Sequence, residues 1–405
     1  MTEASPPASG APAPQAPPSS PVQEPLNLRA LASAILLVSL VGVGLSLSIP
    51  LLSLEMERMG VSGGMIGLNT AMSGFASLLS MPFVPRLAAA IGVRAMIALS
   101  IAVTAATLLA FRGLPWLPAW FVLRFAFSSA LGALFVLSEY WINAAAPPRR
   151  RGLVMGIYAT CLSLGFAIGP VLLGYVGTSG WTPYLAGAAL MCLGLAPLAQ
   201  ARGVTPELDH RSRHAIGHFL VAAPLATLAA LVFGAVETGG FSLLPLYALR
   251  LGHDEAGAAF MSSFVALGGM LLQIPLGLLS DRMDRRTLLV LIALFGAASS
   301  ALMPLAAQFP WGLEILLLFW GGVGGGLYTV GLAHLGARFT DRADLASANA
   351  AFILLYNLGM MLGPPVIGLG FDRIRPHGFA VTLTALFAAY AAFALARVAL
   401  RRGAA

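Results

Sequence analysis

Long apolar segments follow one another along almost the whole chain, and they constrain its fold more than any other feature. Only 10% of the 405 residues are charged and 58% are hydrophobic, so one globular core cannot bury this much apolar surface and lipid must be the solvent. A helix crosses the hydrocarbon with about 20 residues. The segments lack the alternation of a membrane barrel, which leaves helices. The predicted spans are 30–54, 64–84, 92–111, 117–140, 152–176, 182–201, 219–248, 256–280, 287–308, 312–335, 345–370 and 379–398.

Two polar stretches divide this series of spans. The start of the chain is rich in Pro and Ala, and such a composition predicts a disordered tail over residues 1–28. A polar stretch at 202–217 then separates the sixth span from the seventh. The predicted organisation is a tail, a bundle at 29–201, a cytoplasmic linker at 202–217 and a second bundle at 218–402.

The arginine residues predict the orientation. All 23 basic residues are Arg, and they stand in short clusters between apolar runs, which is unlike a nucleic-acid-binding face. With the N-terminus inside, 17 lie on the cytoplasmic side and 5 outside, leaving Arg124 within a span. The positive-inside rule then places both termini in the cytoplasm. We therefore expect a multi-pass protein of a bacterial inner membrane.

The two halves of the chain repeat each other. Residues 165–174 (GFAIGPVLLG) and 359–368 (GMMLGPPVIG) share the pattern G-x3-G-P-x3-G, 194 positions apart. A second pair, 85–94 and 277–286, is 192 positions apart. The fold class that follows is all-α integral membrane, with two pseudo-symmetric six-helix bundles. Parallel repeats of this kind place the substrate between the halves, near the midplane.

These features resemble the major facilitator superfamily of secondary transporters, from about Arg29 to Arg402. The glycine pattern of the fifth span is similar to that of the family's proton-driven antiporters, and SEYWINA at 138–144 is similar to bacterial members of unassigned substrate. The sequence departs from the family at Asp284, where Gly is usual, and at Ala89, where an acidic residue is usual. The residues that match the family's loop motif after the eighth span are Gly277, Asp281, Arg282, Arg285 and Arg286.

The resemblance implies a gating lock at this loop. By pseudo-symmetry, Asp281 should lie near the start of the fifth span, around 149–152, while the cytoplasmic side is closed. There it would gain from the helix dipole and from Arg. Alternatively, these arginines only set topology.

Small residues and prolines of the fifth and eleventh spans are candidates for gating. Glycines allow another backbone to approach closely, and proline allows a bend. We expect these helices to pack across the halves and to flex, although static tight packing uses the same residues. The set is Gly156, Gly165, Gly169, Pro170, Gly174, Gly359, Gly363, Pro364 and Gly368.

Charges within the spans are the sharpest candidates for a site. A charge at the bilayer centre costs about 2.5–3.5 kcal/mol on insertion scales, and Glu237 lies past the middle of the seventh span. It is a candidate for binding protons or a cation; alternatively, it is tied to a Ser or to backbone. Arg124 can bind an anionic substrate, neutralise a carboxylate or snorkel, and Glu139 ends the fourth span as a solvated or functional group. Other candidate cavity residues, each with an interhelical hydrogen bond as its alternative role, are Asn69, Gln273, Tyr158, Tyr328, Asn349, Tyr356 and Asn357.

The function that these residues predict is transport. No enzyme motif, phosphate loop or metal cluster occurs in the sequence, so we expect no catalysis and no cofactor, and an ion gradient as the energy source. We expect a monomer in the lipid bilayer that exchanges a small-molecule substrate for protons, exporting a drug or metabolite. The alternatives are an importer or uniporter of a small nutrient, for example an anionic one, and a non-transporting receptor or assembly protein on the same scaffold.

Overall fold

Helices account for nearly all of the chain that a computed structural model describes, namely residues 28–145, 151–200, 223–339 and 341–402. Within these ranges, twelve helices are long and apolar enough to cross a membrane, as predicted. Positions 1–27 of the predicted tail and the whole predicted linker lie outside the described residues. The boundaries of the two predicted bundles therefore stay predictions.

Six spans form the first half. Two of them are interrupted: the second continues through a 3-10 turn into a short helix, and the sixth breaks at Gly194. The helices are α1 (Leu28–Arg58), α2 (Gly63–Ser80, continued by Val84–Ile91), α3 (Val93–Gly113), α4 (Leu117–Ala145), α5 (Arg151–Val176) and α6 (Thr182–Leu193, continued by Leu195–Gln200).

Six further spans form the second half, and only the tenth is interrupted, at Gly325. The helices are α7 (Pro224–Arg250), α8 (Glu255–Arg282), α9 (Arg285–Ala306), α10 (Gly312–Gly324, continued by Gly326–Arg338), α11 (Arg342–Arg373) and α12 (Gly378–Arg402).

The described chain begins and ends on the same face of the molecule, because it crosses the bundle twelve times. We call this the termini face and the opposite side the distal face. Arg58 and Glu255 lie on the distal face, and Arg282 lies on the termini face. That the termini face is cytoplasmic stays a prediction.

The two repeated segments at the ends of α2 and α8, expected as loops, are largely helical. Val84–Ile91 is a helix that ends at Gly92, whose φ of 90° favours glycine. In the second half, α8 continues to Arg282, and Asp284 caps α9 by accepting a hydrogen bond from the Thr287 N–H at 3.2 Å. This cap explains why Asp replaces Gly here. Partial burial would raise the pKa of Asp284, but the hydrogen bonds from Thr287, together with the backbone amide and the charge of Arg286, hold that pKa below its ordinary value.

The repeated glycines of α5 and α11 mostly face their own half of the molecule. A methyl group on Gly165 would overlap the backbone oxygen of Ser39 on α1, and one on Gly359 would overlap that of Leu231 on α7. These glycines therefore face helices of their own half, although α5 and α11 also pack across the halves, on α8 and α2, as expected. The reason is that α1 and α7 run beside them with small residues, so the closest backbone approach is internal. Gly169 and Gly363 make the same internal contacts with α1 and α7.

Among the described glycines of α5 and α11, those of α11 also pack across the halves. A methyl group on Gly368 would overlap the backbone of Gly63, and one on Gly67 would overlap the carbonyl of Pro364. Gly174 has no atom within 4 Å of an added methyl group. The surroundings of Gly156 lie outside the part of the chain that the structure describes. Pro170 lies inside α5, as Pro364 lies inside α11.

Candidate functional site

A cavity of about 240 Å³ lies between the two halves. Leu162, Ser163 and Phe166 of α5 form one wall, and α7, α8 and α10 form the others. Phe166 and Phe241 face each other across the boundary, with ring centroids 6.3 Å apart. The volume suits a small solute, since drug-sized ligands usually occupy about 300–1,000 Å³.

Glu237 lines this cavity from α7. Its Oε2 accepts a hydrogen bond of 2.7 Å from the Tyr356 hydroxyl of α11. Among the described residues, no Arg forms an ion pair with it. The partner is a phenol rather than the Ser or backbone group that the sequence offered as the structural alternative. The carboxyl is therefore held in place by a neutral donor while it faces the cavity.

Aromatic rings surround the Glu237 carboxyl. Phe233 stacks on Tyr356 with centroids 6.0 Å apart, and Tyr328 meets both rings at 5.7 Å. Such ring faces attract a cation within about 6 Å. The carboxylate and the rings together form a site suited to an apolar cation.

Gln273 contributes from the α8 side of the cavity. Its Nε2 donates a hydrogen bond of 3.2 Å to the Gly322 carbonyl, and its Oε1 accepts one from Thr329. Both partners belong to α10, so the amide ties α8 to α10 at the cavity wall. Gln273 therefore makes the interhelical hydrogen bonds that were its alternative role.

Tyr158 and Glu139 are two further polar residues, and they lie between the cavity and the termini face. Tyr158 is buried, and Glu139 and Tyr328 are close enough to interact with it electrostatically. Because Tyr328 also lines the cavity, these three residues lead from Glu139 to the Glu237 site.

Arg124 and Asn69 lie elsewhere, inside the first half. Both side chains are buried. Three of their nitrogen atoms have no hydrogen-bond partner among the described residues, namely Nε and Nη1 of Arg124 and Nδ2 of Asn69. Ser73 and Ser128 bond to each other at 2.9 Å. Arg124 and Asn69 each stand four residues before one of these serines, so they lie at one level of two parallel helices. They form a set of buried donors that is separate from the cavity.

Asn349 and Asn357 of α11 are not brought to the cavity wall either. The buried Oδ1 of Asn349 has no hydrogen-bond partner among the described residues. The carbonyl of Asn357 lies against Gly74 of α2. Of these two, Asn357 belongs to the packing between the halves.

The predicted gating loop shows a local contact. Asp281 pairs with Arg285 four residues later, at 3.4 Å, and its side chain is 70% exposed. Its partner was expected around 149–152, and residues 149–150 and the side chain of Arg151 lie outside the described part of the chain. Gly277 has no neighbour within 4 Å of an added methyl group. Arg282 is exposed, and Arg286 lines a second, smaller cavity.

Sequence reasoning missed the contacts between the halves at the distal face. Arg58 of α1 donates a hydrogen bond of 2.9 Å from its Nε to Glu255 of α8, and a bond of 2.7 Å from its Nη1 to the Thr178 carbonyl. Asp372 of α11 accepts bonds of 2.9 and 2.8 Å from the amides of Gly63 and Gly64 at the start of α2. The sequence does show opposite charges at the ends of the spans. It does not show which of these charges contact each other in the fold.

Twelve helices in two halves around a central cavity form an architecture that is typical of secondary transporters. The profile of the Major Facilitator Superfamily matches residues 34–364 and 251–404. The chain belongs to this family of membrane transporters, as the resemblance implied.

Its relatives in sequence are transporters of the same kind. "Uncharacterized MFS-type transporter YfkF" of Bacillus subtilis is 26% identical over 338 residues, covering 82% of this chain and 85% of that protein. "Uncharacterized MFS-type transporter YcaD" of Escherichia coli is 26% identical over 252 residues, covering 60% of this chain and 63% of that protein.

Solved structures show the same fold. A crystal structure of a mutant nucleoside transporter NupG has a TM-score of 0.76 at 17% identity, covering 92% of this chain and 99% of that chain. The crystal structure of a D-xylose-proton symporter has a TM-score of 0.71 at 12% identity, covering 90% and 96%. At these identities the likeness concerns the fold alone.

Proposed function

We propose that the protein exports a small apolar cation, a drug or a metabolite, in exchange for protons. The observation that carries the proposal is Glu237, a single carboxyl in an aromatic cavity between the halves, held by Tyr356. Protons and a cation would compete for this one group.

Competition at one carboxyl gives the coupling. A carboxyl sealed from water favours its neutral form, and a carboxyl that meets water or a cation favours its charged form. The protein can therefore close around a protonated Glu237 or around a cation, but not around both. A proton that has entered down its gradient is then released from Glu237. The freed carboxylate binds a cation, which is carried out. One proton exchanged for one monovalent cation moves no net charge, so the pH gradient drives export and supplies about 1.4 kcal/mol per pH unit.

The pseudo-symmetric position supports a single coupling group. Aligning Pro245 with Pro50 places Gly42 opposite Glu237, 195 positions away. In the structure, a methyl group on Gly42 would lie 2.7 Å from the Leu162 carbonyl. The first half has no room for a second carboxylate there.

The test is Glu237→Gln in proteoliposomes. A panel of aromatic monocations, including ethidium, is first screened for thermal stabilisation of the purified protein. The Gln variant keeps the shape of the side chain but cannot ionise. We expect it to lose accumulation of the cation driven by a pH gradient, and also the proton release that accompanies binding of the cation to the wild type.

Glu314→Gln is the matched control, because Glu314 is a carboxyl at the start of α10 that does not line the cavity. We expect this variant to keep proton release. If Glu237→Gln, expressed at the normal level, still accumulates the cation under a pH gradient, Glu237 is not the coupling group.

A second candidate function rests on Arg124. Its buried Nε and Nη1, with the nearby Asn69 amide, are donors without partners among the described residues, which suits an anionic nutrient. A carrier of this kind would be stabilised by small carboxylates and not by aromatic cations, so the same screen separates the two functions.

A further inference from the structure

A second cavity lies at the termini face of the second half, apart from the Glu237 site. Its volume is about 20 Å³. Basic side chains from three helices converge on it: Arg286 from α9, His334 and Arg338 from α10, and Arg397 from α12. The start of α7 at Pro224 completes it. We call it the basic cavity.

His334 is the buried member of the basic cavity, with 9% of its surface exposed. The described residues provide no hydrogen-bond partner for its ring. The charged groups that face it are Arg285, Arg286, Arg338 and Asp284. Three of these are positive, and Asp284 is engaged by Thr287 at the cap of α9.

The start of α7 adds to this positive field. Its N-cap residue Ala223 provides no side-chain hydrogen bond, and its first turn carries no acidic residue. The N-terminus of a helix bears a partial positive charge and attracts phosphate. The N-terminus of α7 and the arginines of the basic cavity therefore favour the same kind of ligand, an anion.

Size and position identify the anion further. About 20 Å³ accommodates one group the size of an oxygen atom, so most of the ligand must remain outside. The cavity lies at the ends of spans, where lipid headgroups are found. Val398 lines it, and Leu395, three residues deeper on α12, is 47% exposed and offers an apolar path for an acyl chain.

We propose that the basic cavity binds the phosphate of an anionic phospholipid, with one phosphate oxygen seated among Arg286, His334 and Arg397. Positive-inside topology alone requires arginines on this face, but it does not require three helices to direct them at one buried histidine. Basic pockets between membrane helices are known to bind such headgroups.

The test counts lipids bound to the purified full-length protein by native mass spectrometry. Phosphatidylglycerol is added to one sample and phosphatidylcholine to another, and the variant is Arg286→Gln with Arg397→Gln. An Arg near an anionic lipid contributes about fivefold in binding, so we expect bound phosphatidylglycerol to fall on the order of twentyfold. Phosphatidylcholine binding should be weak and unchanged.

The control, Arg86→Gln with Arg94→Gln, removes the same charge from the same face in the first half. It should keep phosphatidylglycerol. Arg397→Gln alone changes an exposed side chain, and it should lower phosphatidylglycerol binding about fivefold. Equal losses in both double variants would overturn the proposal. So would displacement of the lipid by millimolar inorganic phosphate, which would show a site for the free anion. The readout is lipid retention, so it is independent of transport.

Discussion

Two interfaces join the halves, and pseudo-symmetry relates them: α2 with α11, and α8 with α5. At the first, backbone meets backbone, because Gly63 lies against Gly368 and Gly67 against Pro364. At the second, the cavity lies between Phe166 of α5 and the α8 wall that contains Gly269. The same architecture therefore gives one tight interface and one that encloses the candidate site.

The residues of α2 and α8 account for this difference. Adding the repeat offset of 192 to Gly63, Gly67 and Gly74 of α2 gives Glu255, Ala259 and Ala266 of α8. Each glycine lets α11 approach α2 to backbone contact, whereas the side chains at the equivalent positions of α8 do not. Ala266 itself lines the cavity. Side-chain size thus decides which interface is closed and which holds a solute.

The largest expected effect is that of Gly67→Val in the tight interface. Its side chain would overlap the Pro364 carbonyl, and both groups belong to rigid helices. Overpacking of this kind typically costs about 1–3 kcal/mol. We expect a lower midpoint of thermal unfolding in detergent and a longer distance between spin labels at the distal ends of α2 and α11.

Gly269→Val is the matched control in the other interface. An added methyl group there meets no atom within 4 Å, so the same chemical change should leave the unfolding midpoint near that of the wild type. Equal destabilisation by the two variants would contradict the comparison.

The twelve spans and the two halves were predictable because they depend on local composition and on a repeat that the sequence displays directly. The side on which the glycines pack was not. Gly165 fits either α1 or a helix of the other half equally well by size, and only the assembled bundle shows that Ser39 occupies its face.

The candidate site was predictable in part for the same reason. A carboxylate in an apolar span, Glu237, is conspicuous by its cost in lipid. Its bond to Tyr356 joins residues 119 positions apart, and no local pattern indicates such a pair. Arg124 is equally conspicuous, yet it lies away from the cavity. A charge within a span indicates that the residue has a role, but it does not indicate where in the bundle the residue will lie.

A smaller effect is expected from Glu255→Gln at the distal end of the α5–α8 interface. The variant removes the charge that Arg58 meets across the halves. The two side chains are 26% and 41% exposed, so the pair contributes at most about 1 kcal/mol. We expect roughly a fivefold higher population that is open at the distal face.

Thiol labelling checks this expectation. Ser163→Cys, in a background without Cys161 and Cys192, places a reactive group in the cavity wall. Its reaction with an impermeant reagent from the distal side should rise about fivefold with Glu255→Gln, and high salt should mimic the change in the wild type. Glu314→Gln, on the same face and outside the ion pairs of the described residues, should have no effect. Unchanged labelling with Glu255→Gln would exclude this pair from gating.

The smallest effect is expected from Asp281→Asn at the opposite end of α8. Asp281 is exposed, and its pair with Arg285 joins the end of α8 to the first residue of α9, an exposed ion pair of a kind that contributes about 0.2–1 kcal/mol. Asp284→Ala, three residues later, removes the cap of α9 and should cost about 0.5–2 kcal/mol. In chemical unfolding, Asp284→Ala should therefore be the more damaging variant. Because both partners belong to the second half, spin labels across the termini face should show no opening with Asp281→Asn. A tenfold shift towards the open state would instead mean that Asp281 locks the halves together, and would make the termini end of α8 as decisive for closure as the glycines of α2.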